Sequence, residues 1–495
     1  MKKQIIFLML TLFSMSSYAQ KIEWLNGASH NLNGECVAGG IAVDSKGNIY
    51  TVGKTLRNVK FNIEKDELEY STIGKSDAFI LKQDAKGKIK WLKTFSGKKW
   101  ADAHAISIDA NDNMYISGIF SGKVDFDPGD GVHEMTGEGD YSTFTVKLNA
   151  SGNFVWVNSL EGTTYKGVSM NIDIDGNVHL MGVFTGTADF DPGDKVYSLS
   201  VEAKAGKKSF MGPTNVFIAK YTSSGNFIWA KKFKQENDKI MCNQMLVDSK
   251  KNIYITGGFY GTVDLNPNDG VHQVTASKNL GHGTYIVKLD SSGDFLWAKD
   301  YDLNLDFQIA TDKADNLYIS GAFYDKVDLD PNGKKYIITA PKKDYSLFIF
   351  KLDEGGNFEW AKHNLAKLSN ITGELFSFMS AISSMVIDDN ENIYACGGFN
   401  GKLQLDLTDE SKTIENRGNS INTFIFKMDT KGNMKWARKM VSKNNNSGGS
   451  LAFDGKGNLY VVGDFVVGMH DEEEVFNISV KFSSNMFTMK IKDTK

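Results

Sequence analysis

Residues 245–258 read MLVDSKKNIYITGG, and this stretch contains the pattern that decides the fold. An apolar, any, apolar triplet ends at Asp248, Asn252 follows four residues later, and Gly257 follows after five more. The same spacing recurs seven times, at Asp44, Asp109, Asp173, Asp248, Asp312, Asp388 and Asp454. Self-similarity at one period predicts stacked supersecondary units, which we number repeats 1 to 7 in chain order.

Each repeat contains four short segments that are typical of β-strands, and we call them a, b, c and d. They are rich in β-branched and aromatic residues and are bounded by Gly, Asn or Asp. Segment b is apolar at almost every position, as in sheets that are buried on both faces. The pattern predicts an all-β, seven-bladed β-propeller with four antiparallel strands in each blade.

A Trp in segment d predicts how the ring closes. Six repeats carry this Trp, whereas repeat 7 reaches the last printed residue after its c segment. Residues 21–25 contain Trp24 and precede the first a segment, so they can supply the missing d segment. We therefore expect the N-terminal strand to complete the last blade, which would remove an exposed sheet edge.

The first 19 residues have the features of a cleaved signal peptide. Lys2 and Lys3 precede a short apolar run, and Ser17 and Ala19 provide the small residues of a cleavage site. The run is shorter than the roughly 18 residues of a membrane span. We predict that residues 20–495 form a single propeller domain. We expect it to be secreted, periplasmic or on the cell surface, with no transmembrane segment.

The charge of the chain indicates which partners to expect. Its 56 basic and 60 acidic residues give a formal net charge of −4, spread evenly along the sequence. This balance argues against nucleic acid or an anionic membrane as the main partner. We expect a monomer that binds an extracellular glycan or protein.

Acidic sequences in the b–c connections are the sharpest candidates for a metal site. Asp-x-Asp-x-x-Asp spacing could offer carboxylates to Ca²⁺, which prefers six to eight oxygen ligands. The same residues are also typical of Asp-Pro-Gly turns that Asp caps through its own backbone, with no metal. The candidate ligands are Asp125, Asp127, Asp130, Asp189, Asp191, Asp194, Asp264, Asp269, Asp328 and Asp330.

The b–c and d–a connections are long and varied, and in a blade of antiparallel strands they share one face. Binding residues concentrate on variable loops that a rigid scaffold holds. We therefore expect any ligand on this face. Its candidate contact residues are Trp100, His104, Phe210, Phe376 and Phe378.

Two stretches carry a family resemblance. Residues 119–129 read IFSGKVDFDPG and residues 183–193 read VFTGTADFDPG. Both resemble the SBBP-type β-propeller repeats of secreted bacterial proteins. The resemblance implies an exported propeller, and it implies no particular biochemical activity.

These observations favour a binding or scaffold module over an enzyme. No nucleotide-binding, serine hydrolase or Cys-x-x-Cys motif is present. The acidic motif recurs between repeats, whereas a catalytic carboxylate pair would depart from the repeat. The alternatives are a carbohydrate-active lyase or glycoside hydrolase of the same fold, and a calcium-dependent adhesion module.

Overall fold

The computed structural model of the chain describes residues 21–29, 34–63, 66–161, 168–201, 214–234, 239–278, 281–303, 307–330, 333–340, 345–364, 366–367, 382–404, 413–415, 420–442, 446–466, 469–471, 477–478 and 484–492. Every regular element in these ranges is a β-strand. No helix among them is long and apolar enough to cross a membrane. The structure confirms the predicted all-β propeller.

Strands a and b of each repeat form the inner half of a sheet. Neighbouring a strands contact one another and make the inner wall. The a strands are β2 (Glu35–Val43), β8 (Trp100–Ile108), β12 (Ser169–Ile172), β18 (Met245–Val247), β24 (Gln308–Thr311), β31 (Ser384–Ile387) and β37 (Asn446–Phe453). The b strands are β3 (Ile49–Leu56), β9 (Met114–Asp125), β13 (Val178–Phe184), β19 (Ile253–Tyr260), β25 (Leu317–Tyr324), β32 (Asn392–Phe399) and β38 (Asn458–Val466).

Strands c and d form the outer half, and all four strands pair antiparallel in the order a, b, c, d. The c strands are β6 (Asp77–Gln83), β10 (Glu134–Leu148), β16 (Asn215–Tyr221), β22 (His282–Leu289), β28 (Tyr345–Leu352), β35 (Asn422–Asp429) and β41 (Ser484–Lys492). The d strands are β1 (Lys21–Ser29), β7 (Ile89–Gly97), β11 (Phe154–Leu160), β17 (Phe227–Lys232), β23 (Phe295–Tyr301), β29 (Phe358–Asn364) and β36 (Met434–Ser442).

The b–c connections contain additional hairpins that the sequence pattern did not predict. In repeat 2 the hairpin is formed by the end of β9 and the start of β10. The other hairpins are β4 (Asn58–Ile63) with β5 (Asp66–Ser71), β14 (Thr187–Asp189) with β15 (Ser198–Ser200), β20 (Thr262–Asp264) with β21 (Gln273–Thr275), β26 (Lys326–Asp328) with β27 (Ile337–Thr339), β33 (Lys402–Gln404) with β34 (Thr413–Glu415), and β39 (Met469–Asp471) with β40 (Asn477–Ile478). Several pair with the preceding repeat: β4 with β1, β39 with β36, and β33 with β30 (Ala366–Lys367).

These hairpins join neighbouring sheets, and our expectation of seven blades is wrong. The end of β9 pairs with β7 at Ser96↔Asp125, so repeats 1 and 2 share one eight-stranded sheet. Repeats 3, 4 and 5 form four-stranded sheets, and the sheets of repeats 6 and 7 extend to six strands. The structure thus contains five separate blades beside the eight-stranded sheet. The physical reason is that β9 runs for 12 residues and reaches the outer strand of repeat 1.

The predicted pairing of the N-terminal strand with the last repeat is present. Strand β1 pairs antiparallel with β41 from Lys21↔Lys492 to Ala28↔Met486. The indole N–H of Trp24 donates to the carbonyl of Ala85 in repeat 1, at 3.2 Å. Residues from opposite ends of the chain therefore belong to one sheet, which is tied to the next repeat.

Each a–b turn is organised around its Asp side chain. In repeat 4, Oδ1 of Asp248 accepts the amide N–H groups of Lys250 at 3.0 Å and Asn252 at 2.7 Å. The side-chain amide of Asn252 donates to Oδ2 at 2.9 Å. All seven repeats use this arrangement, which explains the fixed distance between Asp and Asn.

A buried Lys from strand c fastens one repeat to the next. The ammonium of Lys288 lies 3.8 Å from Oδ2 of Asp248 and donates to the carbonyl of Glu354 at 3.0 Å. The indole N–H of Trp297 donates to the same carbonyl at 3.4 Å. Glu354 lies in the c–d turn of repeat 5, so these contacts fix the position of neighbouring repeats.

Candidate ligand-binding cleft

A cleft of about 430 Å³ lies between repeats 1 and 2. Strand β3 contributes Lys54, the start of β8 contributes Trp100, Asp102 and His104, and β10 contributes Tyr141. Because β8 begins directly after a d–a connection, the cleft opens on the face where we expected ligands. The structure brings two of the predicted contact residues, Trp100 and His104, together in it.

The local geometry of β8 directs its polar side chains into the cleft. Trp100 and Asp102 are two residues apart and therefore lie on the same side of the strand. A β-bulge at His104 interrupts the alternation, and bulges re-aim side chains in this way. The equivalent bulges of β2 and β37 carry Gly39 and Gly449. His104 thus departs from the repeat, and aligning the a segments could have shown it.

The floor of the cleft is a fixed polar network. The ammonium of Lys54 lies 3.0 Å from Oδ2 of Asp102, and the hydroxyl of Ser76 donates to Oδ1 at 2.9 Å. Burial lowers the pKa of His104, and the nearby Asp102 only partly opposes this shift. His104 is therefore a neutral imidazole at pH 7. Because both oxygens of Asp102 already accept partners, the network suits hydrogen bonding more than proton transfer.

Two aromatic rings form one wall of the cleft. The ring centroids of Trp100 and Tyr141 are 4.9 Å apart, and their planes are tilted by 54°. Trp100 is positioned by its backbone, because it bridges to Ser76 and the N–H of Ala101 donates to the Ser76 carbonyl at 3.0 Å. Lys75, next to Ser76, is exposed at the edge of the cleft. The site thus combines an aromatic wall, a polar floor and a cation.

A second departure from the repeat lies at Asp464 in repeat 7. Asp464 follows Gly463 in strand b, just as Lys54 follows Gly53 in repeat 1. The other five repeats have uncharged residues there: Ile119, Val183, Gly258, Ala322 and Gly398. Burial raises the pKa of Asp464 to about 7. The hydrogen bond from the N–H of Ala38 and the positive charge of Lys54 lower this pKa, but burial outweighs them. The charge of Lys54 therefore acts on carboxyl groups of two different repeats, Asp102 and Asp464.

The raised pKa of Asp464 makes stability depend on pH. The folded chain binds this proton more tightly than the unfolded chain, so the unfolding free energy falls as pH rises from about 4 to about 7. We expect Asp464→Asn to remove the part of the pH dependence of stability that this carboxyl group causes. The variant should have a higher melting temperature than wild type at pH 8. Thermal melts of both proteins from pH 5 to pH 8 measure this effect. Melting temperatures that change with pH in parallel for the two proteins would contradict the prediction.

The acidic hairpin loops are organised by their own backbone. In repeat 2, Oδ1 of Asp125 accepts the N–H groups of Asp127 at 3.0 Å and His133 at 2.8 Å. Oδ1 of Asp127 accepts the N–H of Gly129 at 2.9 Å. The same pattern holds the loops of repeats 3, 4 and 5 through Asp189, Asp191, Asp264 and Asp328. These Asp side chains therefore cap the turns through the backbone, and their hydrogen bonds do not decide whether the loops also bind a metal.

The last Asp of the loops in repeats 2, 3 and 4 does not cap the turn with its side chain. Asp130, Asp194 and Asp269 are exposed, and they make no side-chain hydrogen bond or ion pair within the described ranges. Among the residues that the structure describes, no three His, Cys, Asp or Glu side chains are grouped to hold a metal ion. The calcium hypothesis stays a prediction, which calorimetric titration with Ca²⁺ after chelation tests.

The remaining predicted contacts lie outside the described residues: Phe210, Phe376 and Phe378. Sequence reasoning missed Lys54, Ser76, Asp102 and Tyr141, because the repeat alone does not show which side chains of different strands converge. The charge of Lys54, which follows Gly53, was the sequence feature that could have indicated this site.

Comparisons with known proteins agree with the fold. A family model described as "Beta-propeller repeat" (SBBP) matches residues 37–58. The uncharacterised WD repeat-containing protein L264 of Acanthamoeba polyphaga mimivirus is 25% identical over 451 residues. That alignment covers 76% of this chain and 31% of the relative, so the chain spans about a third of its length. The chain is a β-propeller repeat protein.

Three solved structures are distantly similar to the chain. The Dos1 propeller matches with a TM-score of 0.40 and 7% identity, covering 96% of this chain and 97% of that one. The polysaccharide lyase Uly1 matches with a TM-score of 0.42 and 10% identity, covering 92% and 90%. A protein of unknown function from Bacteroides caccae matches with a TM-score of 0.33 and 10% identity, covering 73% and 89%.

Proposed function

We propose that this propeller is an exported binding module for an extracellular glycan, which it holds in the cleft between repeats 1 and 2. The observation that carries the proposal is the pairing of an aromatic wall with a polar floor. The π faces of Trp100 and Tyr141 are electron-rich and suit the C–H face of a sugar ring. Lys54, Ser76 and His104 offer donors and acceptors to its hydroxyl groups.

The dimensions and rigidity of the cleft support this role. Its volume of about 430 Å³ lies within the range of about 300–1,000 Å³ for small-molecule sites. Lys54, Asp102 and His104 lie on strands β3 and β8 of one eight-stranded sheet, and Ser76 directly precedes β6 of the same sheet. The ion pair of Lys54 and Asp102 holds both side chains in place, so little ordering remains for the ligand to drive. A preformed site favours binding.

The state of Asp102 favours a binding module over a hydrolase. A glycosidase needs two carboxyl groups that face a sugar and exchange a proton or act as nucleophile. Asp102 is paired with Lys54 and Ser76, and Asp464 is not among the residues that line the cleft. The cleft therefore offers one neutralised carboxylate.

The experiment that tests the proposal is a glycan microarray probed with wild type and Trp100→Ala. We expect wild type to bind a subset of glycans, and the variant to bind them about tenfold more weakly or worse, because it loses half of the aromatic wall. Equal binding by the two proteins, or no glycan binding by wild type, would contradict the proposal.

The matched control is Tyr324→Ala. Tyr324 is 50% exposed at the end of the b strand of repeat 5, so it is an accessible aromatic residue away from the cleft. We expect it to retain wild-type binding, and thermal melts should show that both variants are folded. A loss of binding in both variants would point to non-specific contact of exposed aromatics.

A further inference from the structure

Two chain segments lie side by side at the edge of the cleft, and both carry lysines. Ser76 and Trp100 form a parallel β-bridge between these segments. One residue earlier in each segment, the N–H of Lys75 donates to the carbonyl of Lys99 at 2.6 Å. Gly74 permits this close approach, because a Cβ atom there would lie 2.1 Å from a backbone oxygen of the facing segment. Lys75 and Lys99 are therefore direct neighbours.

The lysine side chains of these segments have no partner of opposite charge among the described residues. Lys75, Lys98 and Lys99 are exposed, and they make no side-chain hydrogen bond or ion pair there. Lys75 lines the cleft itself. Like charges on neighbouring strands destabilise a sheet. Folding therefore gives no reason for this concentration of ammonium groups, whereas an anionic ligand would give one.

The described acidic side chains nearby are not paired with these lysines. Both oxygens of Asp102 accept partners in the polar floor. Asp77 is fully buried, and its Oδ2 accepts a tyrosine hydroxyl at 2.6 Å and a backbone N–H at 2.8 Å. Glu35 is exposed on β2 and does not line the cleft. The side chains of Glu138 and Asp140 on β10 lie outside the described ones.

The lining of the cleft has a net positive charge. Lys54 and Lys75 are its cations, Asp102 is its anion, and His104 is neutral, which leaves a charge of +1. The chain as a whole has a formal net charge of −4. A local positive charge on an acidic chain attracts anions to this part of its surface. The lysines also lie beside the aromatic wall, because Lys99 directly precedes Trp100.

We propose that the glycan held in the cleft is anionic, with a carboxylate or sulfate group that accepts hydrogen bonds from Lys75 and Lys99. This inference rests on the proposed function, and it names the class of glycan. Hydrogen bonds between an ammonium and an anionic oxygen are about twice as strong as neutral ones. They would fix the orientation of a sugar ring on Trp100. A single-stranded nucleic acid also combines rings with negative charge, but the net charge of −4 disfavours it.

The test uses an array on which acidic glycans are printed beside neutral counterparts of the same backbone. One pair is an oligogalacturonate and its methyl ester, and the other is a sulfated and an unsulfated galactan oligosaccharide. We expect wild type to bind an acidic member about tenfold more tightly than its neutral counterpart, and more weakly as salt rises. The double variant Lys75→Gln and Lys99→Gln should lose this tenfold preference and keep the wild-type melting temperature, because both side chains are exposed.

The matched control is the double variant Lys334→Gln and Lys335→Gln, which removes the same charge from an exposed hairpin loop of repeat 5. We expect it to bind the acidic glycan as wild type does. Equal binding of acidic and neutral glycans would overturn this inference and leave the glycan-binding proposal standing, whereas no glycan binding at all would overturn both. An unchanged preference in the Lys75 and Lys99 variant, an equal loss in the control, or equally tight binding of an oligothymidylate would also overturn it.

Discussion

Deletion of β1 (Lys21–Ser29) is expected to abolish the cooperative unfolding transition of the chain. Strand β1 is an interior strand, because it pairs with β41 on one side and β4 on the other. Its removal would leave the backbone groups of both neighbours unpaired. The loss would exceed the roughly 5–15 kcal/mol by which a domain is stable. Circular dichroism during thermal and urea unfolding measures the result.

Point variants of the same strand give a graded test. Trp24→Ala removes a large packed ring and its hydrogen bond to Ala85, so it should lower the unfolding free energy by about 3–5 kcal/mol. Lys90→Ala, at the equivalent bulge of the neighbouring d strand β7, is the matched control, because Lys90 is exposed and its ion pair with Asp84 should contribute no more than about 1 kcal/mol. An unchanged midpoint for Trp24→Ala would contradict closure through this strand.

The second large effect is expected for Asp173→Ala in repeat 3. Oδ2 of Asp173 lies 3.2 Å from both Nε2 of His179 and Nζ of Lys220, and all three side chains are buried. Burial alone would raise the pKa of Asp173, but hydrogen bonds from His179, Asn177 and Lys220 outweigh it and hold the pKa far below its usual value. The substitution would leave a buried cation unpaired, which costs about 3–5 kcal/mol.

Asp175→Ala is the matched control for this prediction. Asp175 lies two residues away in the same turn, but it is exposed, and its one ion pair among the described residues is with Lys251. We expect a change within about 1 kcal/mol. Urea titrations of both variants give the difference, and equal destabilisation would show that the buried cluster has no special importance.

The strands could be predicted from sequence because their determinants are local. Asp248 and Asn252 form hydrogen bonds within one turn, so their spacing alone placed strands a and b. Trp24 could be assigned to the last repeat because its register matched the other d segments. The joined sheets could not be predicted, because the pairing of Ser96 with Asp125 is a contact between different repeats.

The cleft was predictable only in part, for the same reason. Trp100 could be singled out because it is a Trp outside the d register, and His104 is near it in sequence. Lys54 and Asp102 come together across a boundary between repeats, through side chains that no spacing rule relates. Departures from a repeat, such as His104 and Asp464, are the sequence signal that leads to such a site.

The most direct test of glycan binding is a crystal structure of residues 20–495 with an oligosaccharide that the microarray selects. We expect a sugar ring packed on Trp100 and Tyr141, with its hydroxyl groups hydrogen-bonded to residues of the polar floor. Sugar density at the hairpin loops or on another repeat, with none in the cleft, would contradict glycan binding in the cleft.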